Sequence, residues 1–319
     1  MDKVLKDLGN GAVISDVGDD GIQIEVPAGV KIEKPIYLTQ LLGKKDKLKL
    51  EQGVFIYLRE GSEADVVITD RTSVNRPFKV KRDIIADVRK DARLNLYLLQ
   101  EQGTKSVWLN KIDSYNSGHL TLGIFCLGGA SITNSLLLDM CAEGATADVF
   151  GMTIASGTQQ VTNAVTVTHR APRCCDRELF KQILDEEAVG RFEGLVQVNP
   201  HCPGADSQQT SRNICLSRTA RAYAQPQLII DTDDVRCSHG ATVGQLDEEA
   251  LFYLQQRGIP RHEARLLLLS AFLNEVVDKV SIDGLRERLR MMADARLRGD
   301  LNHCVACGSC GTFGAIDNR

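Results

Sequence analysis

The final stretch HCVACGSCGTFGAIDNR, residues 303–319, sets Cys304, Cys307 and Cys310 three residues apart. Steps of three return each thiol to one side of a single loop, so three thiolates can take three corners of a cubane iron–sulfur cluster. The fourth corner needs a ligand from outside the tail: Cys237, His239, His303, a thiol of a second protomer or an exchangeable small molecule. A corner left open suits a protein that gives its cluster away, whereas four protein thiolates suit one that keeps it. A zinc site completed by His303 or Cys237 and an unstructured tail are the other readings of the same residues.

A second thiol–imidazole pair lies upstream, where DDVRCSHGATVG places Cys237 and His239 two residues apart. If this segment is extended, both side chains leave the same face, and one metal or sulfur atom could touch both. Thiolate and imidazole form a soft-to-borderline pair suited to iron, zinc or a sulfur intermediate. Weaker candidates are His201 and Cys202 in the loop HCPG, and the adjacent Cys174 and Cys175, which would point apart in a strand and could not easily share a metal. Cys126, Cys141 and Cys215 sit in apolar stretches and read as small buried hydrophobes. His169, at the end of QVTNAVTVTH, reads as a structural residue and Trp108 as core.

The elements that must position these residues fall into two kinds. From about residue 10 to 235, short apolar runs such as ADVVITD (64–70), RLNLYLL (93–99), HLTLGIFCL (119–127) and PQLIID (226–231) alternate with Gly, Asn and Asp. Only ELFKQIL (178–184) reads as helical. With 5% aromatic residues and Val, Ile, Thr and Leu as filling, the pattern suits stacked coils of a β-solenoid better than an aromatic-rich sandwich, although no strict repeat length is visible. Beyond residue 246 the period becomes helical. LDEEALFYLQQRG has acidic residues in its first turn, Gly258 as its stop and Pro260 to open the next helix. That next helix carries an apolar stripe of Ala264, Leu267, Leu268, Ala271, Phe272, Val276 and Val280, and a third spans 282–298 with Ile282, Leu285, Leu289 and Met292 inward. The expected division is a β body over 1–235, a helical domain over 236–300 and a Cys-rich tail over 301–319.

Composition narrows the function. The chain has 319 residues, 43% of them hydrophobic, with a formal net charge of −4. Its basic residues are scattered, which argues against nucleic acid and anionic membrane surfaces as partners. MDKVLKDLGN has no hydrophobic segment after its first charges, and the longest apolar stretch, LLLLSAFL, is far below the ~20 residues a bilayer requires. A cytosolic address is expected, and in a reducing compartment ten cysteines point to metal, cluster or sulfur chemistry rather than disulfides. No G-x-x-x-x-G-K-[ST] loop is present, and LLGKKDK (41–47) lacks both the first glycine and the Ser or Thr, so an ATP-driven step would come from a partner chain.

The stretch DTDDVRCSHGATVGQLDEEALFYLQQRGI (231–259) resembles the signature of the SufB/SufD family, core subunits of the SUF iron–sulfur cluster assembly system. The resemblance continues through IEVPAGVKIEKPIYL (24–38), THRAPRC (168–174), GRFEGLVQV (190–198), ARAYAQPQL (220–228) and EARLLLLSAFLNEVVDKV (263–280). Cys-Ser-His-Gly-Ala stands where principal scaffolds of the family carry Glu-His-Glu-Ala, so the wording is closest to the SufD branch. The resemblance implies a right-handed β-helix with a C-terminal helical domain. It implies pairing between β-helices in a homodimer or a heterodimer with a SufB/SufD homologue. It also implies docking of a SufC-like ABC-type ATPase on the helices, and Cys237 and His239 as cluster- or sulfur-handling residues at the dimer interface. The expected activity is that of a scaffold without an ATP site of its own, which holds a transient iron–sulfur cluster and passes it to acceptor apoproteins. The alternative is an electron carrier with a permanent cluster in the tail.

Overall fold

The computed structural model describes residues 3–18 and 21–299. Cys304, Cys307, Cys310 and His303 lie outside the described residues.

Three strands open the chain as an antiparallel meander, β1 (Lys3–Gly9), β2 (Ala12–Gly18) and β3 (Gly21–Val26). After these, strands alternate between two sheets: β4 (Ile36–Leu42), β5 (Lys49–Leu58), β6 (Glu63–Thr72), β7 (Lys79–Val88) and β8 (Arg93–Glu101). The series continues with β9 (Val107–Asn116), β10 (His119–Cys126), β11 (Ser131–Met140), β12 (Thr146–Ala155) and β13 (Gln160–His169). It ends with β14 (Cys175–Leu184), β15 (Val189–Val198), β16 (Asp206–Cys215), β17 (Arg221–Ile230) and β18 (Arg236–Gly244).

From β3 onward every pairing is parallel and joins alternate strands, giving one sheet that ends on β17 and one that ends on β18. This is a β-solenoid of about 8 turns. Parallel pairing in register stacks like residues from coil to coil, and the inward positions fill one continuous apolar core that includes Ile56, Leu96, Leu122, Leu136, Val149 and Val167.

Side-by-side stacking also explains the polar residues inside. Asn134 Nδ2 donates to Asn163 Oδ1 at 2.8 Å, and Asn134 Oδ1 accepts from Asn110 Nδ2 and Gln100 Nε2, both at 2.9 Å. An amide that repeats in one column can satisfy its neighbour above and below, which makes burial tolerable.

Among the described residues three helices follow: α1 (Glu248–Gln256), α2 (Arg261–Val277) and α3 (Asp283–Arg298). The Asp247 carboxylate caps α1 by accepting from the N–H groups of Glu249 and Ala250, which satisfies two of the donors that a helix start leaves unpaired. Leu269, Leu273, Val276, Leu285 and Leu289 pack on the outer face of the β18-bearing sheet, against Tyr97, Phe125, Phe150, Leu179 and Ile183.

Two local expectations are corrected. ELFKQIL is not helical but lies in β14, where Leu179 through Leu184 are all buried. The inward face meets the solenoid core and the outward face meets α2, so the alternation that marks a half-exposed strand is missing. On α2 the buried stripe is Ala264, Leu266, Leu269, Leu273, Val276 and Val277, while Leu267 is 52% exposed. Four consecutive leucines at 266–269 fit the helical period in more than one phase, so packing had to choose.

Candidate functional site

Strand β18 is the edge of its sheet and carries Cys237 and His239. Its pairing with β16 sets Cys237 beside Ser207 and His239 beside Gln209. Ser207 and Gln209 are buried, and residues paired in parallel register leave the same face, so Cys237 and His239 continue the inward columns of the solenoid at its open end. Two residues along a strand separate them by roughly 7 Å between Cα atoms. Cys237 is half-buried and His239 exposed.

The chemistry of these two columns changes along the solenoid. The first runs Ala64, Leu94, Leu120, Ala147, Asp176, Ser207, Cys237, and the second runs Val66, Leu96, Leu122, Val149, Glu178, Gln209, His239. Both are apolar through β12 and polar in their last three rungs. Ser207 Oγ donates to Asp176 Oδ2 at 2.9 Å, and His169 Nε2 lies 2.6 Å from Asp176 Oδ1, with all three residues buried. In the second column Gln209 Nε2 donates to both carboxyl oxygens of Glu178 at 3.0 Å. Burial, reinforced by the neighbouring Asp176, pushes the Glu178 carboxyl well above the usual range, which favours its neutral form.

Cys237 joins a small apolar cluster with Val196, Val198, Cys202 and Ala205. Burial pushes its thiol up, the Ser207 backbone hydrogen bond opposes that, and the carboxylates of Asp176 and Asp206 push it further up. The resting group is therefore a thiol, and a metal or sulfur acceptor that binds there must displace its proton. The site opens through a shallow cavity of ≈ 340 Å³ whose walls include Arg177, Asp206, Ser207, Arg236 and Cys237.

Of the weaker candidates, Cys202 is buried in the apolar cluster against which Cys237 packs, with its thiol 3.7 Å from the Pro200 carbonyl and pushed up by burial. His201 is exposed, on the turn at φ 62°. Fold and sequence thus bring Cys202 and Cys237 together, and Cys237 and His239, and leave His201 apart. Among the described residues no three His, Cys, Asp or Glu side chains gather as a metal site. The pair on β18 is at most part of a ligand set. Cys126, expected in the core, is buried, and Trp108 and His169 are fully buried; Cys141 is instead exposed and Cys215 half-buried.

Sequence reasoning passed over the supporting rungs, Asp176, Glu178, Ser207 and Gln209. The available signal was polar residues at inward positions of CDRELF and DSQQTSRN, which becomes visible only once the face of each strand is fixed.

A parallel β-solenoid that ends in an edge strand bearing a thiol and an imidazole, with helices packed on one outer face, defines the class. The chain belongs to the family described as SUF system FeS cluster assembly, SufBD core domain, whose model matches residues 42–272. It is 31% identical over 175 residues to the iron–sulfur cluster assembly protein SufD of Escherichia coli, covering 55% of this chain and 41% of that protein. It is 35% identical over 170 residues to a Synechocystis iron–sulfur cluster assembly SufBD family protein, covering 53% of this chain and 38% of the relative. Over a longer span it is 26% identical to SufD of Bacillus subtilis, 297 residues that cover 87% of this chain and 64% of the relative. The matched regions thus span about two fifths of the first two relatives. No helix among the described residues is long and apolar enough to cross a membrane.

Proposed function

We propose that this chain is a scaffold subunit of iron–sulfur cluster assembly that holds a nascent cluster at the open end of its solenoid, against a second SufB/SufD-type subunit, and passes it to acceptor apoproteins. The observation that carries this reading is the placement of Cys237 and His239 on the unpaired edge of β18. They can offer two ligands where a cluster needs more, so the remaining ligands come from a second subunit or from Cys304, Cys307 and Cys310. A ligand set divided in this way holds its cargo loosely enough for transfer. The cluster is cargo here, and its sulfide and iron arrive from donors.

In the same reading the helices dock an ABC-type ATPase, which supplies the ATP site that this sequence lacks. Phe252 and Tyr253 of α1 and Leu267 of α2 are more than half exposed, and apolar side chains on an outer helical surface suit a protein partner. The boundary expected at 235 moves past β18 (Arg236–Gly244), which is the last strand of the solenoid; the same roles then divide the chain into a β-helix core through β18, a docking domain from α1 onward and a thiol tail over 301–319. The protein works in the cytoplasm as a subunit without enzymatic activity of its own.

Anaerobic purification with the neighbouring ATPase, followed by iron, sulfide and mass measurements, tests the proposal. The scaffold reading expects iron and sulfide that are lost from the Cys237→Ala/His239→Ala double variant and passed to an apo-ferredoxin within minutes. A cluster that stays bound and cycles between redox states would instead mark an electron carrier. Substituting Cys304, Cys307 and Cys310 together lowers cluster content if the tail contributes ligands, and unchanged content removes it from the site.

A further inference from the structure

Where β16 and β18 end, a groove of ≈ 600 Å³ opens beside α1 and α2, walled by the half-buried Ile214, Leu246, Leu268 and Phe272 and the exposed Val243. Its volume lies within the range of about 300–1,000 Å³ that binding pockets occupy. Ile214, Leu246 and Phe272 also pack on the core between sheet and helices, so the groove is the uncovered rim of that core. Its two charged side chains are engaged: Arg212 Nη1 lies 3.3 Å from Glu275 Oε2, and the Asp247 carboxylate caps α1. An occupant must bring apolar surface and need bring no charge.

The chain's own continuation meets both terms. Residues 301–316, LNHCVACGSCGTFGAI, contain no Asp, Glu, Lys or Arg and carry Leu301, Val305, Phe313 and Ile316. They also begin close by. Near the end of α3, Arg296 donates to Ser156 Oγ and Gln159 Oε1 in the turn that follows β12, and Arg298 pairs with Glu263 in the first turn of α2. β12, β14, β16 and β18 are successive neighbours in one parallel sheet, so three strand spacings, about 14 Å, separate the end of β12 from that of β18. Gly299 closes α3 in the left-handed conformation, at φ 87°, which turns the chain off the helix axis. Six extended residues span about 20 Å, and Phe313 lies further along than that.

We propose that the tail docks on its own chain: Phe313 and Ile316 fill the groove between the end of β18 and α2, and the segment that bears Cys304, Cys307 and Cys310 is thereby fastened at both ends, at Gly299 and at the groove. A segment fixed at both ends loses less freedom when its thiols close on a metal. This one is held beside β18, the strand that carries Cys237 and His239. The use of the tail thiols as cluster ligands rests on the scaffold reading; the docking does not.

The test is photo-crosslinking of the full, metal-free chain with Phe313 replaced by p-benzoylphenylalanine, in a mixture of unlabelled and heavy-nitrogen-labelled protein. Mass mapping should find the crosslinks at 242–250 or 268–272, joined within one chain. Ile316→Asp, which leaves every described residue intact, should cut the crosslink yield and, with Phe313 restored, speed amide exchange over 302–316, each at least about fivefold, because a carboxylate forfeits the burial. Leu268→Asp should do the same from the groove side. Crosslinks scattered over the surface overturn the inference, and so does exchange over 302–316 that is equal in the parent and Ile316→Asp. Crosslinks that join an unlabelled to a labelled chain assign the groove to a second copy and overturn it as well. Each of these results leaves the scaffold reading standing, whereas a lack of iron and sulfide would sink that reading and leave the crosslink map unchanged.

Discussion

The buried Nζ of Lys181, on the outer face of β14, lies 2.5 Å from Glu275 Oε2 on α2, donates to the Phe272 carbonyl at 2.7 Å and sits 4.5 Å from the centre of the Phe272 ring. This contact ties the helical layer to the coils that carry the candidate site. The Lys181 hydrogen bond holds the Glu275 carboxyl below its usual range, so its contribution is present at neutral pH and lost as pH falls through that lowered value. Glu275 is half exposed, and the pair is worth less than a fully buried one. Glu275→Ala is expected to lose about 1–3 kcal/mol by leaving a buried ammonium short of a partner, and Lys181→Met with Glu275→Leu to recover most of it. Urea midpoints of the three proteins check this, and a double variant no better than Glu275→Ala would refute it.

Glu178 gives a pH-dependent expectation of the opposite sign. Its folded carboxyl keeps the proton well above the usual range, while the unfolded chain releases it at about pH 4.3. As pH rises through that interval the folded state binds more protons than the unfolded one, so stability falls. Glu178→Gln removes the penalty and keeps a polar partner for Gln209. Its thermal midpoint should equal the parent's below about pH 4 and exceed it increasingly toward neutrality. A difference that does not vary with pH would show that Glu178 is not held neutral.

How much of this was legible in the sequence depends on which neighbours decide each residue's environment. The solenoid could be read because its coils repeat a local pattern of strand and turn, and the helices because signals such as an acidic first turn, the Gly258 stop and the Pro260 start act within a few residues. The segment 178–184 was misread because its second face is covered by α2, some ninety positions later in the chain, and no local period records that. That Cys237 and His239 share a face follows from their spacing once the segment is extended, whereas their reading as a site came from the resemblance of the surrounding stretch. Their supports could not be read, since Ser207 and Asp176, or Gln209 and Glu178, meet only through parallel register across separate coils.

The asparagine column predicts a steep response inside the body. Asn134 exchanges hydrogen bonds with Gln100, Asn110 and Asn163 and is fully buried. Asn134→Leu leaves three buried amide groups unpaired, each costing about 1–3 kcal/mol, so a loss of more than about 3 kcal/mol is expected. Asn163→Ala breaks one of these bonds and should cost distinctly less. Equal losses in chemical denaturation would mean that the column is not a connected network.

Thiol reactivity separates the cysteines by position. Burial pushes Cys126 up to about 12 and Cys174 up to about 11, and both side chains are fully enclosed. Cys141 is exposed, and Cys237 is half-buried at the cavity on the open end. Iodoacetamide reacts with thiolate, so at about pH 8 the folded protein should be alkylated first at Cys141, more slowly at Cys237 and not at Cys126 or Cys174. Raising the pH to about 9 should speed the reaction at Cys141 and Cys237, because each is still mostly thiol there, and should leave the enclosed pair untouched until the chain unfolds. Site-resolved mass spectrometry reads all four positions at once. Protection of Cys237 equal to that of Cys174 would place it out of reach of incoming sulfur or iron and remove the chemical basis for a site at the edge of β18.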